Sequence, residues 1–320
     1  GRLKNMSNKN IESILVEQRS FPPDDSFVAA ARLKPEDLAA LYAQAEADYE
    51  GYWAERAREE LHWETPFTAT LDESNAPNYA WFTGGRLNVS ENCLDVHLAQ
   101  RGNKPAIIFE GEQGDRRTLT YAQLLAEVCK FANVLKALGI EAGDRVVIYM
   151  PMTPEAVIAM QACARIGAVH SVVFGGFSAN ALRDRIIDAA ARMVITADGA
   201  HRGGQIIELK AAVDNALSEG CDSIDKVIVL RCTHQDVSMD PERDIWWDAA
   251  IQEQSEQCTP VPVDAEHPLF ILYTSGSTGK PKGIQHASAG YLLHAKLTNR
   301  WVFDLRDDDI FWCTADVGWI

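Results

Sequence analysis

The sequence predicts an α/β protein built on a doubly wound, mostly parallel sheet with helices on both faces. Three observations carry that expectation. Short uninterrupted apolar runs recur beyond residue 118, stretches of helical periodicity separate them, and the last run opens directly into a loop dense in glycine, hydroxyls and lysine.

In chain order, residues 1–26 read as an arm. Only Ile11, Ile14 and Leu15 interrupt its polarity, and Pro22 and Pro23 break any helix. Residues 1–5 precede Met6, which reads as a natural start, and contain no signal-peptide core. Residues 27–117 are expected to form a helical and irregular region packed on the main domain. Within it, Pro35, Glu36 and Asp37 open a long amphipathic helix, about residues 35–61. Its stripe of Leu38, Leu41, Tyr42, Ala45, Tyr49 and Trp53 is assigned to core packing.

Residues 118–320 are expected to form an incomplete α/β nucleotide-binding domain. Thr120 and Gln123 have the spacing of a capping box, and Gly139 supplies a left-handed stop to the helix between them. Residues 145–150 (RVVIYM) form a run apolar enough for a strand covered on both faces. Thr153, Pro154 and Glu155 start a helix that ends at Gly167. A strand over 169–174, a helix capped by Ser178, a strand over 193–196, a helix from about 205 to 217, and strands over 227–230 and 269–273 continue the alternation. Short strand–helix–strand links require right-handed parallel crossovers, and ligands of such sheets sit beyond the carboxyl ends of strands. The loops after Phe174, Thr196 and Tyr273 are therefore the ones to inspect. Trp246 and Trp247 read as the packed start of a helix, and Asp307, Asp308 and Asp309 as a solvated turn.

Composition narrows the function. The 320 residues carry 30 Lys plus Arg against 46 Asp plus Glu, a net charge of -16 that repels nucleic-acid backbones and anionic lipid. Neither nucleic acid nor membrane is an expected partner, and an anionic substrate must be held by local donors. The seven cysteines show no C-x-x-C pair, which fits a reducing cytoplasm. The most apolar stretch, 156–174, contains Gln161, Arg165 and His170 and is not read as a membrane span. The histidines have no metal-ligand spacing, so no metal site is assigned; His286, close to the glycine-rich loop, is read as structural.

That loop is Thr274-Ser275-Gly276-Ser277-Thr278-Gly279-Lys280-Pro281-Lys282-Gly283. Glycines let backbone amides turn toward a ligand, hydroxyls add donors and lysines neutralise charge, which together describe a polyphosphate cradle. Two residues rather than four separate Gly276 from Gly279, and Pro281 stands where a Walker A loop needs a hydroxyl, so a P-loop NTPase is disfavoured. The G-x-S-x-G elbow of a serine hydrolase fails as well.

The string YTSGSTGKPKG resembles the phosphate-binding signature of the adenylate-forming superfamily. The segments at 81–102 (WFTGGRLNVSENCLDVHLAQRG), 172–178 (VVFGGFS) and 308–320 (DDIFWCTADVGWI) narrow the resemblance to the AMP-forming acetyl-CoA synthetase family, from about Phe27 onward. The resemblance implies an acetate–CoA ligase using ATP, magnesium and coenzyme A, with no tightly bound prosthetic group. It implies that Thr274, Ser275, Gly276, Ser277, Thr278, Gly279, Lys280 and Lys282 hold the β and γ phosphates. Phe174, Gly175 and Gly176 would lie against coenzyme A, and Arg202, Gly203, Gly204 and Gln205 would meet its nucleotide phosphate. Trp319 and Ile320 would begin the acyl-pocket wall. Gln205, where the family often has a basic residue, and Val96, where it commonly has arginine, are departures.

Family members run to about twice this length. The chain is therefore expected to be an amino-terminal half that makes no acetyl-CoA alone and leaves apolar surface exposed. A synthetase for propionate or another short acid, and a non-catalytic nucleotide or coenzyme A binding module, are the alternatives. Oligomeric state is left open.

Overall fold

A computed structural model describes residues 19–274 and 281–319. Its centre is a seven-stranded sheet of β1 (Arg145–Tyr149), β2 (Val169–Val172), β3 (Met193–Ala197), β4 (Lys226–Leu230), β5 (Asp244–Trp246), β6 (Pro268–Thr274) and β7 (Lys282–Ala287), in the spatial order β5-β4-β3-β1-β2-β6-β7. All neighbours are parallel except β6 and β7, which pair antiparallel. The chain steps from β1 to one side, at β2, and then returns to the other, at β3. The ends of β1 and β3 thus flank a topological switch point.

The sequence makes this sheet two-faced. Strand side chains alternate in direction, so Val146 and Ile148 of β1 and Met193 and Ile195 of β3 face one layer of helices, α3 (Tyr121–Ala137) and α4 (Pro154–Ile166). Val147, Tyr149 and Val194 face the opposite layer, α5 (Ala179–Ala189) and α6 (Leu209–Leu217). Each large aliphatic side chain buried this way contributes about 1.5–3 kcal/mol. Helix ends follow the expected chemistry. Gln123 N–H donates to Thr120 Oγ1 at 3.2 Å while Thr120 N–H donates to Gln123 Oε1 at 2.9 Å, and Gly139 and Gly167 take left-handed φ of 79° and 76°.

The region before residue 118 corrects one expectation. The single helix over about 35–61 is two, α1 (Pro35–Ala47) and α2 (Tyr49–Glu60), because Asp48 leaves helical geometry at φ -150° and its carboxylate caps Gly51 N–H at 2.9 Å. Its aromatic stripe divides accordingly. Leu38, Tyr42 and Tyr49 are exposed, against their assignment to the core, and Leu41, Ala45 and Trp53 are half-buried; the buried residues are instead Tyr52, Ala54 and Ala57, the two alanines packing with Phe67, Phe82 and Leu87 against Leu293 and Leu297 of α7 (Ser288–Leu297). Asn88, fully buried, donates to the carbonyls of Ala164, Arg165 and Val261, and Arg165 forks onto Asp95 at 2.8 and 2.9 Å.

A second correction falls at 205–217. Residues Ala200–Arg202 and Gln205–Ile207 form an antiparallel hairpin, and the helix begins only at Leu209. Gly203 and Gly204 both have positive φ, 60° and 74°, the requirement of a tight two-residue turn. Trp246 ends strand β5, so the helix begins at Trp247, whose ring stacks on Phe131 at 3.8 Å.

His170 of β2 is buried between β1 and β6, and burial lowers its imidazole pKa from 6.5 to about 4. The unfolded chain then binds more protons than the native one between those values. Stability is full above pH 6.5 and declines as pH falls toward 4, by up to about 3 kcal/mol. Urea melts across pH 4–7 check this: the His170→Gln variant flattens the slope, and an unchanged slope refutes the assignment.

Candidate functional site

A cleft of about 500 Å³ opens at the carboxyl ends of the strands flanking the switch point. Its walls come from residues 150–153 after β1, Phe174 and Gly175 after β2, Ala200, His201 and Arg202 of the hairpin after β3, and Cys232 after β4. Residues 109–112 with Asp115, and residues 312–316, close its sides.

Two segments far apart in sequence meet here. The Arg202 guanidinium carbon lies 4.8 Å from the centre of the Phe174 ring, a cation–π contact. Gly176 makes room for it, since a β-carbon there would fall 2.5 Å from Phe174 Cε1 and 3.1 Å from an Arg202 guanidinium nitrogen. Gly175 backs onto the Met150 carbonyl, with 3.4 Å for a β-carbon. The hairpin tip is tied down by Gly204 N–H donating to Glu112 Oε1 at 2.8 Å, while Gln205 stands opposite Arg202 and is exposed. Behind the hairpin, the buried Asp198 accepts at Oδ1 from the amides of Gly199, Cys232 and Thr233 at 2.7–2.9 Å, joining the ends of β3 and β4.

Among the described residues lining the cleft, Arg202 is the one arginine or lysine, against Glu110, Glu112, Asp115 and Asp316. The Cys232 thiol is pushed up to about 11, first by burial and then by the carboxylates of Asp198, Glu155 and Asp115, so it stays protonated and unreactive at neutral pH. Asp316 holds a turn: its Oδ1 accepts from Gly318 N–H at 2.8 Å and its carbonyl from Trp319 N–H at 3.0 Å.

The phosphate-loop candidates divide. Thr274 ends β6 and Lys282 begins β7, paired opposite one another; neither lines the cleft. Ser275, Gly276, Ser277, Thr278, Gly279 and Lys280 lie outside the described residues, as does Ile320. Trp319 is exposed. His286 stacks on Phe270 at 4.5 Å, with its pKa lowered by burial, in a structural position.

The model of the AMP-binding enzyme family matches residues 94–320. This chain belongs to that family. The model for the acetyl-coenzyme A synthetase N-terminus matches residues 38–93. The chain is 59% identical to acetyl-coenzyme A synthetase of Thiobacillus denitrificans and 56% identical to that of Methylobacillus flagellatus, covering 97% of this chain and 48% of each relative. The acetoacetyl-CoA synthetase structure from Streptomyces lividans superposes with a TM-score of 0.81 at 26% identity, over 93% of this chain and 47% of that one. The chain thus spans about half the length of the curated relatives it matches.

Within this chain, three parts of the cleft wall, residues 150–153, 109–115 and 312–316, were given no site role by the sequence, although the segment 308–320 carried the family resemblance. The first follows a predicted strand and was accessible to the strand-end rule. The others arrive through tertiary contact. Val317 N–H reaches Met152 Sδ at 3.3 Å, and a β-carbon on Gly318 would fall 2.8 Å from the Phe174 backbone nitrogen.

The two glycines give opposite expectations. Gly318→Ala drives into backbone and lowers stability by about 1–3 kcal/mol. Gly176→Ala meets side-chain tips that can swing away, so it costs under about 1 kcal/mol while separating Arg202 from Phe174. Denaturant midpoints of both variants test the contrast, and equal losses contradict it.

Proposed function

We propose that this chain supplies the coenzyme A platform and the phosphate-gripping hairpin of an acetate–CoA ligase. In that reaction a carboxylate oxygen of acetate attacks the α-phosphorus of ATP, giving acetyl-adenylate and diphosphate. The thiol of coenzyme A then attacks the acyl carbon and expels AMP.

One observation carries the reading. β2 leads into Phe174 and β6 leads into Thr274, and these strands are parallel neighbours, so both segments leave the sheet side by side at the same end. A ligase needs this proximity, because its second step brings a thiol to an adenylate made at the first.

In this reading Arg202 donates to a nucleotide phosphate, Phe174 offers a ring face to adenine and Gly175 and Gly176 allow close approach, supported by the contact of Arg202 with Phe174 and the tight space at Gly176. Gly203 and Gly204 turn the hairpin that carries Arg202. Gln205 leaves this site one cation short of the family pattern. Thr274 and Lys282 flank the loop whose Ser275, Ser277, Thr278 and Lys280 are assigned to the triphosphate tail. Against a net charge of -16, these local donors must offset the approach of two anions.

Magnesium enters as the companion of ATP, where it neutralises phosphate charge. Among the described residues no group of three His, Cys, Asp or Glu side chains could hold a metal ion. Acetate is favoured over longer acids by the names of the relatives, with Trp319 and Ile320 assigned to the acyl wall. Among the described residues no helix is long and apolar enough to cross a membrane; the seven cysteines without a C-x-x-C pair support a cytoplasmic setting.

Calorimetric titration of the chain with coenzyme A tests the platform. Arg202→Gln raises Kd about tenfold, equivalent to about 1.4 kcal/mol, and Phe174→Ala does so comparably. Binding that is indifferent to both changes overturns the assignment.

A further inference from the structure

A second cavity, of about 690 Å³, shares no lining residue with the cleft. Distant segments converge on it: Arg32 ahead of α1, Glu60 at the end of α2, His97 and Arg101 from the turns at Asp95–His97 and Leu98–Arg101, and Lys296 from α7. Arg300 comes from the π-helical turn Thr298–Val302, and Arg306 from the loop beyond it. We propose that this basin binds a phosphate-type multivalent anion, at a site separate from the nucleotide and coenzyme A segments.

Cations outnumber carboxylates in this basin. Five cations, Arg32, Arg101, Lys296, Arg300 and Arg306, share three carboxylates. Glu60 takes Lys296 and Arg300, Asp304 takes Arg32 and Arg306, and Asp307 takes Arg101. Asp309 caps the Arg306 backbone amide instead. Such an excess is unusual in a chain of net charge -16, where cations set at random would be outnumbered.

Several of these cations are also open to solvent. Glu60 is buried with only 6% of its side chain exposed, so it anchors the floor, whereas the side chains of Lys296, Arg300 and Arg306 are 44–50% exposed and present donors to solvent. Guanidinium forks match two oxygens of one phosphate, and a dianion spanning two forks answers the surplus charge where a monovalent anion does not.

His97 lies inside the basin beside these charges. The Arg101 guanidinium donates to His97 Nδ1 at 3.0 Å, and the His97 pKa is lowered by burial and then by the positive charges of Arg101 and Lys296, with Asp307 a weaker opposing influence. His97 therefore reports the local potential from within the cavity.

That reporter supplies the test. Histidine resonances of the chain are followed by NMR as a function of pH, with His97 identified by its loss in His97→Gln. Saturating diphosphate raises the His97 midpoint by about 0.5 pH unit or more, since a bound anion favours the imidazolium. Acetate at matched ionic strength does not. Lys296→Gln with Arg300→Gln removes the rise, and Arg306→Gln, which leaves the buried Glu60 paired, diminishes it. ATP gives the same rise if the phosphate chain alone is recognised; a response to ATP without one to diphosphate overturns the proposal. So does a midpoint unmoved by diphosphate, or a rise that survives both sets of substitutions. The readout is independent of coenzyme A binding, so failure here and failure of the ligase assignment are separable.

Discussion

The central strands are covered on both faces, and that constraint decides where chemistry can occur. Val146 and Ile148 point into one helical layer, Val147 and Tyr149 into the other, and all four are at most 1% exposed. No position from Val146 to Tyr149 can meet a ligand without emptying the core. Polar and ligand-facing groups are confined to strand ends, where the backbone leaves the sheet. The cleft, the hairpin bearing Arg202 and the pair Thr274–Lys282 all occupy such ends.

Electrostatics then acts locally against the global field. A strongly acidic chain discourages anions at long range, and screening confines that effect to roughly 8–10 Å in physiological salt. Within that distance individual residues dominate. Arg202 stands on an aromatic face in a cleft otherwise edged by carboxylates, whereas the basin around Glu60 and Asp304 gathers cations from several segments. Neither pattern is visible in the summed charge.

Local signals were legible where short-range chemistry is sufficient. The capping box of Thr120 and Gln123, the glycine stops at 139 and 167, the cap at Ser178 and the apolar runs of β1, β3 and β4 each appear where the sequence places them. The misread positions are those where two local rules compete. Asp48 lies within a helical pattern, yet its carboxylate captures the Gly51 amide and restarts the helix. Residues 205–207 have helical periodicity, but two left-handed glycines fold them back as a strand.

The sequence by itself determined the alternation of strands and helices, the stops between them and the glycine-rich string after β6, because each depends on residues within a few positions of one another. Tertiary structure alone decided the strand order, the meeting of Phe174 with Arg202, the approach of Gly318 to the Phe174 backbone and the gathering of five cations around a second cavity. Those contacts join residues separated by tens to hundreds of positions. Which partners meet depends on how the sheet is wound, and a linear pattern does not contain that information.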